Sequence, residues 1–204
     1  MTMIKTPETV VLIPAYRPGE ILLPLLQKFA GAGCRIVLVD DGSESAYREI
    51  FENVPEGTFV LTHEKNRGKG EALKTGLAYI RDHSGNDTVI VTADADGQHR
   101  VEDAMKICRA AAACPGALVL GSRTFEGSVP FRSRLGNTMT RIACRLSAGL
   151  RVRDTQTGLR AFSISLLPRM LEIEGSRYEY EMNGYSSHLS TPDIYWVLRS
   201  SLIR

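Results

Sequence analysis

The residues of this chain that are best placed for chemistry are Asp94, Asp96 and Gln98, which lie close together in a turn containing Gly97. They follow residues 88–92, an apolar run rich in β-branched residues that predicts a buried strand. Carboxylate and carbonyl oxygens suit Mg²⁺ or Mn²⁺, and such a cation usually completes its shell with substrate phosphates. The pattern therefore predicts a metal site for a phosphate-bearing substrate, although a solvated aspartate turn that caps the next helix also fits it.

Three earlier runs that predict strands also lead into polar residues. The ring of Tyr16 could stack on a base, and Asp40 or Asp41 could accept hydrogen bonds from a base or a ribose. Arg67 and Lys69, beside glycines, could approach a phosphate closely. Taken singly, each has a plain alternative: a half-buried ring, an ordinary turn or a basic loop. These three segments contribute Pro14, Ala15, Tyr16, Asp40, Asp41, Arg67 and Lys69.

Short apolar runs alternate with amphipathic ones along the chain, which predicts an α/β fold with a mostly parallel sheet and helices on both faces. In such sheets, ligands bind beyond the carboxyl ends of the strands, where the polar residues above would lie. The predicted strands cover residues 10–13, 36–39, 58–61, 88–92 and 117–120, and the predicted helices cover 19–30, 43–51, 72–80 and 101–113. Ser43 is expected to cap the second helix.

Composition limits the classes of protein that this chain can be. A length of 204 residues allows one good core, and a net charge of +2 is too small for general nucleic-acid binding. The four cysteines stand singly, with no CxxC pair, so we expect no zinc site and a reducing compartment. We expect no signal peptide and no membrane-spanning segment, because the N-terminus lacks an apolar core and no run approaches 18 apolar residues.

Two common nucleotide-binding motifs are missing from the sequence. There is no Walker A loop, and the glycines at 68 and 70 lack the third glycine of the dinucleotide fingerprint and follow the third predicted strand, not the first. Kinase and dehydrogenase activities are therefore disfavoured.

Residues 127–153 contain no acidic side chain but six arginines, with apolar residues at helical spacing. A basic amphipathic helix is typical of a membrane-surface or anion-binding element. The alternative is a core-facing helix with a solvated arginine face. The arginines of this segment are Arg132, Arg134, Arg141, Arg145, Arg151 and Arg153.

Six motifs occur in order, namely IPAY at 13–16, VDDGS at 39–43, NRGKG at 66–70, DADGQH at 94–99, GSR at 121–123 and DTQTGLRAF at 154–162. Together they resemble family 2 inverting glycosyltransferases, in the polyprenyl-phosphate branch of dolichyl-phosphate mannosyltransferases and bacterial undecaprenyl-phosphate glycosyltransferases. The resemblance covers residues 8 to about 183. It implies a GT-A fold with a Rossmann-like central sheet over residues 1–183, a nucleotide-sugar donor and a Mg²⁺ or Mn²⁺ ion.

The resemblance also implies roles for individual residues. Tyr16 and Asp41 would lie near the donor base with Asp40 beside them, and Arg67 and Lys69 near the nucleotide. The implied nucleotide-sugar-binding set is Pro14, Ala15, Tyr16, Asp40, Asp41, Arg67, Lys69, Asp94 and Asp96, and the implied metal ligands are Asp94, Asp96 and Gln98.

On the acceptor side, Arg123, Arg132 and Arg134 match positions near the acceptor phosphate. The segment containing Asp154, Gln156 and Thr157 matches the one that closes the sugar and acceptor pocket. The implied catalytic residues are Asp96, Arg123, Asp154 and Gln156.

The expected activity is metal-dependent, inverting transfer of a hexose from a UDP-glucose or GDP-mannose type donor to a polyprenyl phosphate. A phosphate monoester already carries an oxyanion near neutral pH, so it needs positioning by cations and not a general base. We expect a cytoplasmic protein, peripheral to the cytoplasmic face of a membrane or held there by a membrane-protein partner, with a homodimer as one option and no nucleic-acid partner.

Three alternatives stay open. A hydroxyl acceptor would require a base, for which Asp154, Glu179 and Glu181 are the candidates. A non-catalytic sugar-nucleotide-binding module would bind the donor without turnover. A nucleotidyltransferase is the third, but the first predicted strand is not followed by a glycine-rich loop bearing a lysine.

The resemblance ends after Asn183, where the family normally continues with another helix and strand. We therefore expect residues 184–204 to form an atypical tail, from an internal deletion or a changed reading frame, which bears on whether the chain is active. Its apolar residues 194–198, including Trp196, are expected to dock on the core, on a second subunit or on lipid.

Overall fold

The computed structural model describes residues 7–122, 158–183 and 194–198. These residues form an α/β fold built on one mixed sheet. Its strands are β1 (Thr9–Ala15), β2 (Arg35–Asp40), β3 (Phe59–Thr62), β4 (Val89–Thr92), β5 (Leu118–Ser122), β6 (Arg160–Ser163) and β7 (Ile194–Leu198). The helices are α1 (Leu22–Gly31), α2 (Arg48–Glu52), α3 (Lys69–His83), α4 (Val101–Ala113), α5 (Leu167–Glu172) and α6 (Tyr178–Asn183).

The strand order is β3-β2-β1-β4-β6-β5-β7. Strand β6 runs antiparallel to β4 and β5, whereas the other four pairings are parallel. Because β6 runs the opposite way, its first residue, Arg160, pairs with Thr92 at the end of β4. The start of β6 therefore lies at the same edge of the sheet as the carboxyl ends of β1, β2 and β4. We call this edge the carboxyl rim.

The sheet separates two hydrophobic clusters, as the alternation of side chains along β1 requires. Val11 and Ile13 belong to the cluster that includes the buried faces of α1 and α4, whereas Val10 and Leu12 belong to the cluster formed with α3 and α5. All four β1 side chains are fully buried. The prediction of a mostly parallel sheet with helices on both faces is thus confirmed.

Two residues show how β1 fits at the centre of the sheet. A Cβ on Gly76 of α3 would collide with Leu12 Cδ1, so the glycine lets the helix pack closely on the strand. Pro14 lies beyond Leu12, where the pairing of β1 with β4 ends. The Leu12 carbonyl accepts a hydrogen bond on the β4 side of β1, and Pro14, two residues later, faces that same side. Because no β4 residue pairs with Pro14, the N–H that proline lacks is not needed for the hydrogen bonds of the sheet.

The helix predicted from Ser43 to Phe51 differs in the structure. Residues Ser45–Tyr47 form a 3₁₀ turn that leads into the five-residue helix α2, and Ser43 does not cap it. The Ser43 hydroxyl instead accepts a hydrogen bond from the Arg17 backbone N–H, at 2.9 Å. The capping prediction was wrong because a contact across the carboxyl rim competes for the same hydroxyl.

Strand β7 lies within the segment expected to be an atypical tail. It pairs in parallel with β5 and forms one edge of the sheet. No described helix has both the length and the apolar character needed to cross a bilayer.

Candidate active site

The carboxylate of Asp94 lies just beyond the end of β4 and is held by two donors. Lys69 Nζ donates to Oδ1 at 2.6 Å, and His99 Nε2 lies 3.2 Å from Oδ2. A proton on His99 Nε2 makes this contact a hydrogen bond donated to the carboxylate. Burial alone would raise the pKa of Asp94, but the hydrogen bond from His99 and the charge of Lys69 hold that pKa well below its usual range. Asp94 is therefore ionised and held in one orientation.

Lys69 is the first residue of α3, and its ammonium bridges two carboxylates. Besides Asp94, Nζ donates to Glu181 Oε2 of α6 at 3.0 Å. Burial alone would lower the pKa of Lys69, but the charges of Glu181 and Asp94 raise it above its usual value. The lysine is thus a fixed positive charge.

Glu181 is held in turn by Arg160, the first residue of β6. Arg160 NH2 lies 3.5 Å from Glu181 Oε1, and NH1 donates to the Glu181 backbone carbonyl at 3.2 Å. The Arg160 side chain is only 4% exposed. Arg160, Glu181, Lys69 and Asp94 therefore form a chain of alternating charge, which we call the rim ion chain.

Gly158 packs against the Asp94 carboxylate. A Cβ at this position would lie 2.5 Å from Asp94 Cγ, a distance that no real contact allows. The Gly158 carbonyl accepts a hydrogen bond from Thr92 Oγ1 at 3.0 Å, which fixes its backbone to β4. The glycine thus supplies the space in which Asp94 meets Lys69 and His99.

Asp96 and Gln98 lie on the outside of the same turn and are exposed. Asp96 Oδ1 accepts a hydrogen bond from the Gln98 backbone N–H at 3.0 Å, and Gly97 between them has a φ of 71°. Within residues 7–122, 158–183 and 194–198, no three His, Cys, Asp or Glu side chains gather as a ready-made metal site. Oxygen donors nevertheless meet the preference of Mg²⁺ and Mn²⁺, so the turn fits a cation that takes further ligands from a substrate.

Asp41, expected near the donor base, is buried and faces the loop before α3. Its Oδ1 accepts hydrogen bonds from the Arg67 backbone N–H at 2.9 Å and from His63 Nδ1 at 2.7 Å. Its Oδ2 accepts from the Gly68 backbone N–H at 2.8 Å. His63 Nε2 lies 2.9 Å from Thr75 Oγ1 on α3. The Asp41 carboxylate therefore anchors the loop that carries Arg67 and leads into Lys69, the first residue of α3. Asp40 similarly accepts from the Ser43 backbone N–H, at 2.8 Å.

The two glycines beside Lys69 accommodate the protein's own chain. A Cβ on Gly68 would lie 2.6 Å from Ser176 O, and a Cβ on Gly70 would lie 2.7 Å from both Ser176 C and Tyr180 Cβ. The Glu71 backbone N–H donates to Ser176 O at 3.0 Å. Residues 175–180 thus cover this face of the α3 N-terminus, where the sequence had indicated a phosphate.

The end of β1 presents an aromatic ring to solvent. Tyr16 is 42% exposed, and the Arg17 guanidinium carbon lies 5.0 Å from its ring centroid. Among the described residues, Arg17 alone combines a side chain with a positive φ, of 50°. Its backbone is fixed by Ser43 and its guanidinium by Glu44. Pro14 and Ala15, also in the expected donor site, are buried.

Several expected site residues lie outside the described part of the chain. These are Arg123, Arg132, Arg134, Asp154, Gln156 and Thr157. Their roles remain predictions. Arg123 directly follows β5, whose carboxyl end belongs to the same rim.

Sequence reasoning assigned no role to four residues that the structure brings into the site: His63, His99, Gly158 and Arg160. Three of them, His99, Gly158 and Arg160, lie inside quoted motifs, but no local pattern indicated their partners. Glu181 was considered as a base, yet its oxygens are engaged by Lys69 and Arg160. Glu179 is exposed, and its own backbone N–H, with those of Ser176 and Arg177, holds its pKa below the usual range.

The chain is similar to known proteins of one family. A family model described as glycosyl transferase family 2 matches residues 10–175. A UDP-N-acetylglucosamine–dolichyl-phosphate N-acetylglucosaminyltransferase of Methanococcus voltae is 29% identical over 190 residues, covering 83% of this chain and 75% of that protein. An undecaprenyl-phosphate 4-deoxy-4-formamido-L-arabinose transferase of Pseudomonas aeruginosa is 32% identical over 191 residues, covering 87% of this chain and 54% of that protein.

The fold is shared with a solved structure. Glucosyl-3-phosphoglycerate synthase from Mycobacterium tuberculosis, in complex with Mn²⁺, UDP-glucose and phosphoglyceric acid, is similar with a TM-score of 0.66 and 20% sequence identity. The match covers 94% of this chain and 70% of that one. It confirms the predicted GT-A fold.

Proposed function

Because the chain belongs to glycosyltransferase family 2, we propose that it transfers a hexose from a nucleotide sugar to a polyprenyl phosphate with inversion at the anomeric carbon. Family membership makes the chain a glycosyltransferase. The lipid acceptor is supported by relatives that are named dolichyl-phosphate and undecaprenyl-phosphate transferases. A donor of the UDP-glucose or GDP-mannose type is consistent with the UDP-glucose held by the structurally similar synthase.

The observation that carries the proposal is the position of Asp96 beside the rim ion chain. The exposed Asp96 carboxylate stands next to Asp94, whose charge is already balanced by Lys69. These groups lie at the carboxyl rim, where open α/β sheets bind ligands. Donor binding there would place the diphosphate between the aspartate turn and Arg67, which lies in the loop before α3.

A Mg²⁺ or Mn²⁺ ion would be held by Asp96 and Gln98, together with Asp94 of the same turn. Bound there, the ion would neutralise the charge that develops on the departing nucleoside diphosphate. The chain's own contribution is to orient the turn, through the Gln98 amide on Asp96 and the His99 and Lys69 contacts on Asp94. Tyr16 would stack on the base, and Asp41 would act by fixing the loop of Arg67.

A phosphate acceptor agrees with the state of the glutamates on α6. A hydroxyl acceptor would need a general base within reach, yet Glu181 is held in two ion pairs and the pKa of Glu179 is lowered. A phosphate oxyanion needs only positioning by cations. We propose Arg123, Arg132 and Arg134 for that role and Asp154 and Gln156 for closing the pocket. The reaction would occur at the cytoplasmic face of a membrane, with the basic segment 127–153 toward the lipid.

The proposal is tested by incubating radiolabelled UDP- and GDP-hexoses with a polyprenyl phosphate and Mn²⁺, and measuring lipid-extractable sugar. We expect transfer by the wild-type protein and a loss of about a hundredfold or more in the Asp96→Asn variant, as several kcal/mol of transition-state stabilisation would imply. Asp82→Asn is the matched control, because Asp82 is exposed near the far end of α3 and pairs with its neighbour Arg81.

Three outcomes would contradict the proposal. Nucleotide binding without any transfer would identify a non-catalytic module. Transfer to a glycan hydroxyl but not to the lipid phosphate would replace the acceptor. Equal activity of the Asp96→Asn and Asp82→Asn variants would remove Asp96 from the chemistry.

A further inference from the structure

We propose that Lys69 is the built-in counter-charge of the aspartate turn, and that Glu181 and Arg160 are positioning residues which hold its ammonium against Asp94. The positive charge of Lys69 would then lower the affinity of the site for a divalent cation and raise its affinity for a nucleotide diphosphate. This inference rests on the proposed function, because it concerns how the same site balances the charges of its ligands.

The geometry fixes the ammonium between two carboxylates from distant parts of the chain. Nζ lies 2.6 Å from Asp94 Oδ1 and 3.0 Å from Glu181 Oε2, and its side chain is 23% exposed. A lysine on a solvated helix face would not be confined in this way. The Lys69 aliphatic stem starts at the first turn of α3, where Gly68 and Gly70 let residues 175–180 approach and bring Glu181 within reach.

Arg160, a residue of the sheet, holds Glu181 in place. Its guanidinium contacts both the Glu181 carboxylate and the Glu181 backbone carbonyl, so side chain and helix are held together. Arg160 is almost fully buried at the start of β6, directly opposite Thr92 of β4. The rim ion chain therefore connects β6, α6, α3 and the aspartate turn.

The four side chains of the rim ion chain carry two positive and two negative charges, and Asp96 follows Asp94 by two residues. A divalent cation favours more negative charge at this place, whereas a diphosphate favours more positive charge. Removing the lysine charge would leave excess negative charge, which favours the cation and disfavours the diphosphate. Removing the Glu181 charge would leave excess positive charge, with the reverse effect. A merely structural role would weaken both kinds of binding together.

The test measures binding of Mn²⁺ alone, by the electron paramagnetic resonance signal of the free ion. UDP alone and GDP alone are measured by calorimetry in metal-free buffer. For Lys69→Met we expect Mn²⁺ to bind about tenfold more tightly and the nucleotide about tenfold more weakly. For Glu181→Gln we expect the opposite signs, at about threefold, because screening weakens the more distant charge. Lys69→Arg keeps the charge and should retain both affinities within about threefold.

Two matched controls separate charge balance from general damage. Lys106→Met makes the same change on α4, at a lysine that pairs with Asp103 of the same helix. Glu8→Gln removes an ion-paired carboxylate that precedes β1, at the opposite edge of the sheet. Neither should change either affinity. Thermal unfolding of every variant establishes that it is folded before binding is compared.

The outcomes distinguish this inference from the function on which it rests. The inference is supported if the affinities for Mn²⁺ and for the nucleotide shift in opposite directions in Lys69→Met, and with the reverse signs in Glu181→Gln. If the wild-type protein binds Mn²⁺ and a nucleotide but both affinities fall together in each variant, the inference is overturned and the proposed function stands. If the wild-type protein binds neither ligand, both are overturned.

Discussion

At the scale of single residues, the structure shows that the partners of a charged group decide its use. Asp94 and Asp96 are indistinguishable by residue type, yet one is engaged by Lys69 and His99 and the other faces solvent. Gly158 is part of the same arrangement, because the Asp94 carboxylate fills the space that a side chain at position 158 would occupy. A residue without a side chain is thus part of the site.

Gly158→Ala is predicted to displace Asp94 and to lower both stability and activity. The new Cβ would meet the carboxylate, and the bond from Thr92 to the Gly158 carbonyl prevents the backbone from shifting. We expect a loss of about 1–3 kcal/mol in the free energy of unfolding, as for overpacking in a core, and a loss of sugar transfer. Chemical unfolding and the lipid-transfer assay measure the two effects.

Gly116→Ala is the control for this substitution. An added Cβ there would meet nothing within 4 Å, so we expect no loss of stability. Equal behaviour of the two variants would show that the space beside Asp94 is not needed.

At the scale of elements, the N-terminus of α3 is defined by what covers it. Residues 175–180 pack on Gly68 and Gly70, and Tyr180 fixes them further because its hydroxyl donates to Met170 O at 2.8 Å. Glycine is a poor choice for helix stability, since it is about 1 kcal/mol less favourable than alanine in a helix interior. Helix propensity therefore does not explain the glycine at position 70, whereas the close approach of α6 does.

Gly70→Ala is predicted to loosen residues 174–183 despite the better helix propensity of alanine. The Cβ would lie 2.7 Å from Ser176 C, a backbone atom that cannot move away at low cost. We expect a net loss of about 1–2 kcal/mol in stability, because overpacking costs more than the propensity gain returns. Hydrogen exchange should increase in residues 174–183 and not in α4.

The matched substitution is Gly85→Ala, where an added Cβ would meet nothing within 4 Å. It should leave exchange in residues 174–183 unchanged. Unaltered exchange in the Gly70→Ala variant as well would mean that α6 is not held through this contact.

At the scale of the whole molecule, one sheet separates two cores, and two buried cysteines lie in one of them. Cys34 and Cys108 are buried in the cluster that includes the inner faces of α1 and α4. Burial raises the pKa of Cys34 to about 11 and that of Cys108 to about 12. Cys114, just after α4, is only partly buried.

Alkylation of the native protein is predicted to spare Cys34 and Cys108 at pH 8. The thiolate is the reactive form, and a raised pKa means that it is scarce until the pH approaches the values above. Cys114 should react faster and serves as the internal reference. Iodoacetamide labelling with peptide mass spectrometry measures each site. Labelling of Cys34 at the rate of Cys114 would mean that this core is open.

Much of the fold could be predicted because each strand and helix has its own local pattern. The buried runs in β1, β2 and β4 and the periodic faces of α1 and α4 were predicted close to their observed bounds. Strand β6 was not predicted, because four residues at the end of a motif carry no clear period. Its antiparallel insertion between β4 and β5 is a long-range choice that short-range patterns do not encode.

The sequence by itself determined the fold class and which polar groups reach the carboxyl rim, because strand ends and turn residues are set by neighbours in the chain. Only the tertiary structure decided how these groups pair. Lys69 meets Glu181 across 112 positions of sequence, and Asp41 meets the loop of Arg67 across 26. An ion pair depends on distance in space and not along the chain, so packing selects Asp94 as the partner of Lys69 and leaves Asp96 to solvent.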